Sequence, residues 1–562
     1  MAQPGFLGSP LEKELAEEHG FPGILAQVFA ARWENCARGD WSAYLSPEMH
    51  SLKGLAASPA LPQIIEALRR ARKDKHSVLF YGDYDVDGIM ATATMFAASQ
   101  HLGLRSNYYL PSRFGEGYGL SKDIVRKAAG EGYKLLVALD CGTSNNVEVE
   151  LAHELGMDVV AIDHHAAGAK LPPMPLLNPH LTPGVDPLCS AGLSFLFARE
   201  WMAAEGEDKG LVDDNFLEAA AVATIGDHVP LTGDGFILAH MGLASLPRTS
   251  QPGFSALLSA LGLHGKAFLT SRDILFSVVP HLNAAGRMLS SNAGLVVKLM
   301  LARNNQEAMA IAQQLVRLNM ERREHQKTVT DEAARQAMAQ EGSEVLVLYK
   351  SDWMPGVTGV VAARMVEMFG KPAIVLSDAP QEEGCAVGSG RAPDGVDLLE
   401  MVEPARELFV KLGGHSAAIG GTLPVKLLPE LRSLVSKYQP KPAASEPDAQ
   451  AYECEASPAQ LSSELISPLL KLQPFGEGHP APRLRLRNAL VARSSIIGKE
   501  GTTICVEVDA PSAPLRLVGF RRSHLLTRLR PGASVTLDIE LGLDNFRKEP
   551  ALQLLLLGLA QP

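Results

Sequence analysis

The stretch VLFYGDYDVDG, residues 78–88, decides how this chain folds. Four apolar or aromatic residues, 78–81, are followed at once by three alternating carboxylates, Asp83, Asp85 and Asp87. A continuous apolar run of this length is typical of a strand that is buried on both faces of a parallel sheet. Alternate side chains of an extended segment share a face, so three carboxylates there would repel one another unless a divalent cation bound them. The stretch therefore predicts an α/β fold with a metal site at the end of one strand.

Two later apolar runs end in the same way. Residues 135–139 lead into Asp140, and residues 159–162 lead into Asp163, His164 and His165. Segments with helical spacing separate the runs, which is the βαβ rhythm of a parallel sheet. Ligands of such sheets bind beyond the carboxyl ends of the strands, so these side chains are expected to meet in one crevice.

The chemistry of these residues indicates the metal. Asp227, which closes the apolar helix-like run 216–225, is a further candidate ligand. Carboxylates with one or two imidazoles suit Mn²⁺ or Mg²⁺ better than zinc. Four or five carboxylates exceed the charge of one ion, so we expect two ions, an arrangement typical of phosphoryl transfer. An EF-hand is excluded, because the twelfth position counted from Asp83 is Thr94 and not Glu.

The rest of the chain indicates further domains. Residues 304–341 contain no Gly or Pro and predict one long helix. A second α/β unit follows, in which residues 397–412 predict a helix ending at Gly413 and Gly414. Five short alternating stretches after residue 460 predict a small OB-type β-barrel. The expected organisation is an N-terminal segment (1–45), a first α/β domain (46–303), the connecting helix (304–341), a smaller α/β domain (342–435), a Pro- and Ala-rich linker (436–458) and the barrel (459–562).

The charge of the chain is unevenly distributed. The net charge of −11 over 562 residues argues against a nucleic-acid partner. Residues 466–562, however, hold 13 Lys and Arg against 8 Asp and Glu. A basic barrel face can follow a single strand of nucleic acid. The predicted contacts are the alternating Arg483, Arg485 and Arg487 and the neighbouring Arg521 and Arg522.

Composition also bounds where the protein acts. Apolar residues make up 46% of the chain, as in ordinary globular proteins. No apolar stretch reaches the roughly 20 residues of a membrane-spanning helix. The six cysteines are scattered without a CxxC pair. We therefore expect a cytoplasmic protein without a membrane partner.

Several motifs together resemble the DHH phosphoesterase superfamily, and within it the RecJ family of single-strand-specific exonucleases. The triplet Asp163-His164-His165 matches the signature for which the superfamily is named. The other matching motifs follow in the family's order: RFGEGYG (113–119), HLNAAGR (281–287), GSGR (388–391), GGH (413–415) and PFGEGH (474–479).

The resemblance implies a role for each matching residue. Asp85 and Asp87 would hold one metal ion each, Asp140 would bridge both, and His164 with Asp227 would complete the second site. His165 would face the scissile phosphate, and Arg287 would neutralise its charge. The residues expected to grip a 5′ phosphate, or to lie beside it, are Arg113, Ser389, Arg391, Gly413, Gly414 and His415.

The function that the resemblance implies is 5′→3′ degradation of single-stranded DNA to mononucleotides in repair and recombination. A monomer that works with a single-strand-binding protein and a helicase is expected. A phosphoesterase of the same superfamily that hydrolyses pyrophosphate, cyclic dinucleotides or very short oligonucleotides is the alternative. A scaffold that has lost its metals is disfavoured, because all five expected ligands are present.

Overall fold

The computed structural model describes residues 8–34, 41–112, 119–168, 170–289, 292–340, 342–438, 452–498, 501–511, 513–544 and 550–560. Three helices come first: α1 (Pro10–Glu17), α2 (Gly23–Glu34) and α3 (Ser42–Leu45). The helix α4 (Ala60–Lys73) then leads into the first sheet. Within the described residues, no helix is both long and apolar enough to span a membrane.

The first sheet is parallel throughout, as predicted. Its strands lie in the order β2-β1-β3-β4-β5, so the three strands with polar ends are neighbours. Alternate residues serve two cores: Phe80 and Val137 belong to one, and Leu79 and Leu136 to the other. Burial on both faces explains the continuous apolar runs. The elements are β1 (Ser77–Tyr81), α5 (Val86–His101), β2 (Ser106–Tyr109), α6 (Lys122–Gly130), β3 (Tyr133–Leu139), α7 (Asn146–Glu154), β4 (Asp158–Ile162) and β5 (Leu176–Leu177).

A helical half completes this domain. A π-helical turn, Ile274–Val278, joins two of its helices into one continuous segment. Its helices are α8 (Ser190–Ala204), α9 (Gly210–Gly226), α10 (Gly233–Ser245), α11 (Pro252–Ala260), α12 (Ser271–Asp273), α13 (Val279–Arg287) and α14 (Gly294–Met300). The predicted connecting helix follows as α15 (Asn305–Met338), begun by the Asn304 side chain, which accepts a hydrogen bond from the Glu307 N–H.

The second α/β unit has a mixed sheet of order β6-β7-β8-β10-β9. Its elements are β6 (Leu346–Tyr349), α16 (Thr358–Phe369), β7 (Ala373–Asp378), β8 (Cys385–Arg391), α17 (Leu398–Val402), β9 (Lys411–His415), β10 (Ala418–Pro424) and α18 (Leu428–Val435).

The helix predicted over residues 397–412 is wrong. The helix α17 stops at Val402 and gives way to a 3₁₀ segment, Glu403–Leu408. Pro404 lacks an N–H and its ring crowds the preceding turn, so the α-helix cannot continue. Gly413 and Gly414 lie in β9 instead of at a helix end.

The C-terminal strands form the predicted barrel. Five strands close into a ring through the pairing of β12 with β15, and β11 adds to β12 from outside. The elements are β11 (Cys454–Ala456), α19 (Ile466–Lys471), β12 (Arg483–Ile497), β13 (Thr503–Val508), β14 (Leu515–Gly519), β15 (Ser534–Leu543) and β16 (Leu552–Leu559). The greater part of the predicted linker, residues 439–451, lies outside the described residues.

The N-terminal helices share the core of the barrel. Leu25 and Phe29 of α2 are buried in the same apolar cluster as Leu465 and Leu484. Arg32 forms an ion pair with Glu453 and donates to the Pro480 carbonyl at 2.7 Å. The two ends of the chain therefore fold as one unit.

Candidate metal centre and phosphate pocket

The loop after β1 holds its carboxylates by backbone contacts. Asp85 caps α5, and its Oδ1 accepts hydrogen bonds from the N–H groups of Asp87 at 3.0 Å and Gly88 at 3.4 Å. A Cβ on Gly88 would lie 2.5 Å from the Asp83 nitrogen. Only glycine lets the helix start this close to the loop that carries Asp83.

The start of α8 binds the carboxylate of Asp87. Its two oxygens accept from the N–H groups of Ser190 and Ala191, both at 2.7 Å. The amino end of a helix carries unsatisfied N–H groups and a partial positive charge, so it stabilises a buried anion. The Ser190 hydroxyl also donates to Asp140 Oδ1 at 3.0 Å. Ser190 was not among the predicted site residues, because a serine just before an apolar helical run marks a helix start and not a site.

His164 lies at the centre of the site. Its Nε2 is 3.4 Å from Asp140 Oδ1, 3.4 Å from Asp227 Oδ2 and 3.6 Å from Asp87 Oδ2. Asp140 follows β3 in the left-handed region, with φ 63°, and Asp227 ends α9. Three strand ends and one helix end thus bring these side chains together, as the sequence predicted.

Asp163 positions the two histidines. Its carboxylate accepts from the N–H groups of Thr143, His164 and His165, and from His165 Nδ1 at 2.8 Å. Burial alone would raise the pKa of Asp163, but the hydrogen bond and charge of His165 hold it below its usual value. Burial alone would lower the pKa of His165, but the hydrogen bond and charge of Asp163 raise it. The first residue of the triplet is thus a fixed anion that orients the imidazoles.

The donor set fits divalent cations. Burial and the charges of Asp87 and Asp85 raise the pKa of Asp140 well above its usual value and that of Asp227 to about 9. Such mutual repulsion is relieved when cations bind. Three overlapping groups each bring ligand atoms within 4.8 Å of one another: Asp83 with Asp85 and Asp140, Asp87 with His164 and Asp227, and Asp140 with His164 and His165. Asp140 and His164 each belong to two of these groups, and carboxylates with one or two imidazoles suit a pair of Mn²⁺ or Mg²⁺ ions.

Arg287 is brought to the carboxylates by close packing of α13. A Cβ on Gly286 would lie 2.4 Å from the Tyr84 carbonyl oxygen, so this helix end rests on the loop after β1. Arg287 is near enough to oppose the rise in the pKa of Asp85, which burial and Asp87 cause. The helix is linked to α15 by a hydrogen bond of 3.0 Å between Asn319 Nδ2 and His281 Nε2.

Four of the residues predicted to hold a 5′ phosphate share one face of the second sheet. In the register of β8, β10 and β9, Arg391 and His415 both lie opposite Ala418, and Ser389 and Gly413 both lie opposite Gly420. Directly opposite residues of antiparallel strands point to the same face. Glycines therefore form an open floor between the polar side chains.

The start of α16 covers that floor. A Cβ on Gly359 would lie 3.2 Å from Arg391 Nη2 and 3.3 Å from Ser389 Oγ. A helix N-terminus beside a serine and an arginine is suited to bind an anion. Gly359 was missed by the sequence analysis, because no motif drew attention to it. Gly414, with φ 134°, lets β9 approach Ala418 closely, and Arg113 lies outside the described residues.

The barrel arginines have acidic or carbonyl partners. Arg485 makes two hydrogen bonds to Asp538, at 2.8 and 3.1 Å. The other partners are Glu540 for Arg483, Glu455 for Arg487, Glu367 of α16 for Arg521 and the Leu557 carbonyl for Arg522. The alternating three thus carry less net positive charge than the sequence suggested, and DNA contact by all five stays a prediction.

Comparison with known proteins gives the class and then the family. Three family models match in chain order: the DHH family N-terminal domain over residues 77–224, the DHHA1 domain over 342–439 and the RecJ OB domain over 452–557. The fold and the site therefore define a phosphoesterase of the DHH class.

The relatives specify the family within that class. The single-stranded-DNA-specific exonuclease RecJ of Dickeya dadantii is 31% identical, covering 97% of each chain. That of Bacillus subtilis is also 31% identical, over 88% of this chain and 63% of its own length. The crystal structure of RecJ in complex with Mn²⁺ from Thermus thermophilus aligns with a TM-score of 0.79 at 25% identity, over 98% of this chain and 78% of that one. The chain belongs to the RecJ family.

Proposed function

We propose that this chain is a metal-dependent exonuclease that degrades single-stranded DNA from its 5′ end to mononucleotides, in repair and recombination. The observation that carries the proposal is the meeting of Asp87, Asp140, His164 and Asp227 at one edge of the sheet, in a chain with a separate anion-binding face. Its relatives are named for single-stranded DNA, and a Mn²⁺ complex is known for one of them.

The residues of the chain divide the chemistry among them. When bound, two Mn²⁺ or Mg²⁺ ions supply charge neutralisation and a water of lowered pKa. Asp85, Asp87, Asp140, His164 and Asp227 would hold these ions, with Asp83 beside them. His165, oriented by Asp163, would hydrogen-bond an oxygen of the scissile phosphate. Arg287 adds a fixed positive charge that favours the more negative transition state.

The second sheet would set the polarity of the reaction. Only a terminal nucleotide carries a free phosphate group, and Ser389, Arg391 and the start of α16 offer donors to one. His415 and Gly413 lie on the same face, and Gly414 and Arg113 are proposed as further contacts. An Arg391→Ala variant should lose most of the preference for a 5′-phosphorylated over a 5′-hydroxyl oligonucleotide. An unaltered preference would remove this pocket from the mechanism.

The proposal is tested by substituting the shared carboxylate. Asp140→Ala should abolish Mn²⁺-dependent release of nucleotides from a labelled single strand while the circular dichroism spectrum stays the same. Asp158→Ala is the matched control, because Asp158 lies at the opposite end of β4 and its side chain is exposed. Release of nucleotides by Asp140→Ala at the wild-type rate would refute the site. Faster hydrolysis of pyrophosphate than of a long oligonucleotide would instead favour a small-molecule phosphoesterase.

The setting of the activity is also proposed. Among the described residues the five cysteines are free thiols, as expected in a reducing cytoplasm. The family resemblance supports a monomer that receives single strands from a helicase and a single-strand-binding protein. Size-exclusion chromatography with light scattering, alone and with such a protein, tests both points; a stable dimer would contradict the first.

A further inference from the structure

One helix face runs from the barrel to the metal centre. Arg272, Phe276, Pro280, Asn283 and Arg287 are each at least partly exposed along the continuous segment formed by α12, the π-helical turn and α13. They follow at intervals of four, four, three and four residues, which is the spacing of one helix face. The face therefore offers an accessible stripe that ends at Arg287.

The far end of this stripe is an aromatic cluster shared by two domains. Phe276 is 65% exposed and Phe520 of the barrel is 50% exposed. The guanidinium carbon of Arg272 lies 5.9 Å from the centre of the Phe276 ring and 5.7 Å from that of Phe520. Both are cation–π distances, so one arginine contacts an exposed ring on each side of the domain boundary.

The cluster differs from an ordinary apolar contact. Phe276 and Phe520 are the two exposed phenylalanines of the described residues, and both lie against the same arginine. By contrast, Phe475, another aromatic at this boundary, is buried and stacked on His479. A cavity of about 230 Å³, lined by Arg272, Arg483 and Glu540 among others, lies beside the arginine of the cluster.

We propose that Phe276, Arg272 and Phe520 form a stacking platform for bases of the substrate strand on the 3′ side of the cleavage site. This inference rests on the proposed function and specifies part of its substrate path. Rings and guanidinium planes stack on any base, and the neighbouring Arg522, which donates to the neutral Leu557 carbonyl, matches the charge of the phosphates. From Phe276 to Arg287 the helix rises about 16 Å. A stacked strand at about 3.4 Å per nucleotide spans this distance in about five nucleotides.

The position of stacking is the first test. A 5′-phosphorylated single strand of about 15 nucleotides carries 2-aminopurine at one position at a time, and binds the full-length Asp140→Ala protein. Stacking quenches the fluorescence of this base, so quenching should peak near the fifth nucleotide. Adding Phe276→Leu, which keeps an apolar side chain but removes the ring, should abolish that peak, and Phe276→Trp should keep it.

Affinity and strand length give the second test. Loss of one stacked base should raise the Kd of a long strand about tenfold in Phe276→Ala. Arg272→Lys, which keeps the charge without the flat guanidinium, should also weaken binding. When Phe276→Ala is introduced into the otherwise wild-type enzyme, the loss of kcat/KM that it causes should grow with strand length. This loss should level off beyond about six nucleotides. Val147→Ala and Ile496→Ala, which truncate other exposed apolar side chains of the two domains, are the controls and should bind as the wild type does.

The outcomes separate the two proposals. If the wild type hydrolysed no single-stranded DNA with Mn²⁺, the proposed function would fall. If it did so, but the quenching pattern ignored Phe276 or the loss were equal at all lengths, the platform alone would be refuted. An unchanged Kd for a long single strand in Phe276→Ala and Phe520→Ala would likewise overturn the platform. The exposed cluster would then be better explained as a contact surface for a protein partner.

Discussion

At the scale of single residues, the site depends on carboxylates that the fold forces together. Asp87 and Asp140 are almost fully buried, yet each is fixed by α8, the former by backbone N–H groups and the latter by the Ser190 hydroxyl. These hydrogen bonds stabilise only part of the negative charge of the two carboxylates, and the remaining charge favours the binding of cations. Groups that orient the carboxylates should therefore affect the affinity for metal.

Ser190→Ala is expected to weaken activation by Mn²⁺. The substitution removes the hydroxyl bond to Asp140 but keeps the N–H that holds Asp87. Loss of such an orienting partner typically costs about 10- to 100-fold in metal affinity or activity. Titration of activity with Mn²⁺ measures the shift. Ser194→Ala is the control, since among the described residues nothing hydrogen-bonds to Ser194 Oγ; equal shifts in the two variants would contradict the role of Ser190.

Asp227 should make the metal-free protein less stable as pH rises. Burial and the nearby Asp87 and Asp85 raise its pKa to about 9, from 3.8 in the unfolded chain. Between these values the folded state keeps a proton that the unfolded state has lost, so the free energy of unfolding falls with pH. The slope is at most about 1.4 kcal/mol per pH unit for one proton.

Thermal melting in EDTA between pH 5 and pH 8 tests this expectation. Asp227→Asn cannot lose the proton, so its melting temperature should fall less over that interval than that of the wild type. Saturating Mn²⁺ should stabilise the wild type more at pH 8 than at pH 5, because it binds the ionised carboxylates. If the melting temperatures of the two metal-free proteins fell equally with pH, the pKa of Asp227 would not be raised by its neighbours.

At the scale of elements, function is concentrated where strands and helices begin or end. The loops after β1, β3 and β4 supply most of the side chains proposed to bind metal, α8 and α16 supply N–H groups, and α13 ends at Arg287. Rigid elements can place such ends within a fraction of an ångström, which loops alone rarely do. Close helix–loop contacts should therefore matter as much as the charged residues.

Gly286→Ala should lower kcat without unfolding the protein. The added methyl would lie 2.4 Å from the Tyr84 carbonyl oxygen, so α13 must move and carry Arg287 with it. A displacement of about 1 Å at a catalytic group can cost about 100-fold in rate. Alanine favours helix more than glycine does, so lost helix propensity cannot explain a defect.

Steady-state kinetics of single and double variants check this prediction. Gly130→Ala, at a helix end where a Cβ would meet nothing within 4 Å, should leave kcat unchanged. In the double variant, Gly286→Ala should add little to the loss of kcat that Arg287→Ala causes, because both substitutions act through the same guanidinium. Full additivity would show that Gly286 acts elsewhere.

The elements also show how much of the fold and of the site can be predicted from the sequence. Apolar runs that end in Asp or His suffice to predict the first sheet and the residues that meet at its edge, since burial on both faces leaves a clear pattern. Gly413 and Gly414 mislead, because a glycine pair marks either a helix end or a close approach of strands. Ser190 and Gly359 are invisible in the sequence, since each acts on residues that only the tertiary fold brings near. The exposure of Phe276 is equally hidden, because a phenylalanine in a helical run is normally buried.

At the scale of the whole molecule, the ends of the chain support each other. The first helices have no identifiable chemistry in the sequence, yet α2 fills the barrel core with Leu25 and Phe29. The barrel gains little net positive charge from Arg483, Arg485 and Arg487, because carboxylates lie beside all three. Its contribution to DNA binding should therefore depend on a correctly packed surface around Phe520 more than on bulk charge.

Leu25→Ala should weaken DNA binding from a distance. Leu25 is fully buried between α2 and the barrel, and truncation of such a side chain costs about 2–5 kcal/mol. Because the first sheet has its own cores, the loss should be confined to the barrel. Hydrogen exchange should therefore accelerate in β13 and β14 but not in β3, and the Kd for a long single strand should rise. Leu490→Ala, an exposed truncation on β12, should change neither quantity. Faster exchange in β3 would instead mean that the N-terminal helices stabilise the metal-binding domain, and that the barrel and the first sheet unfold together.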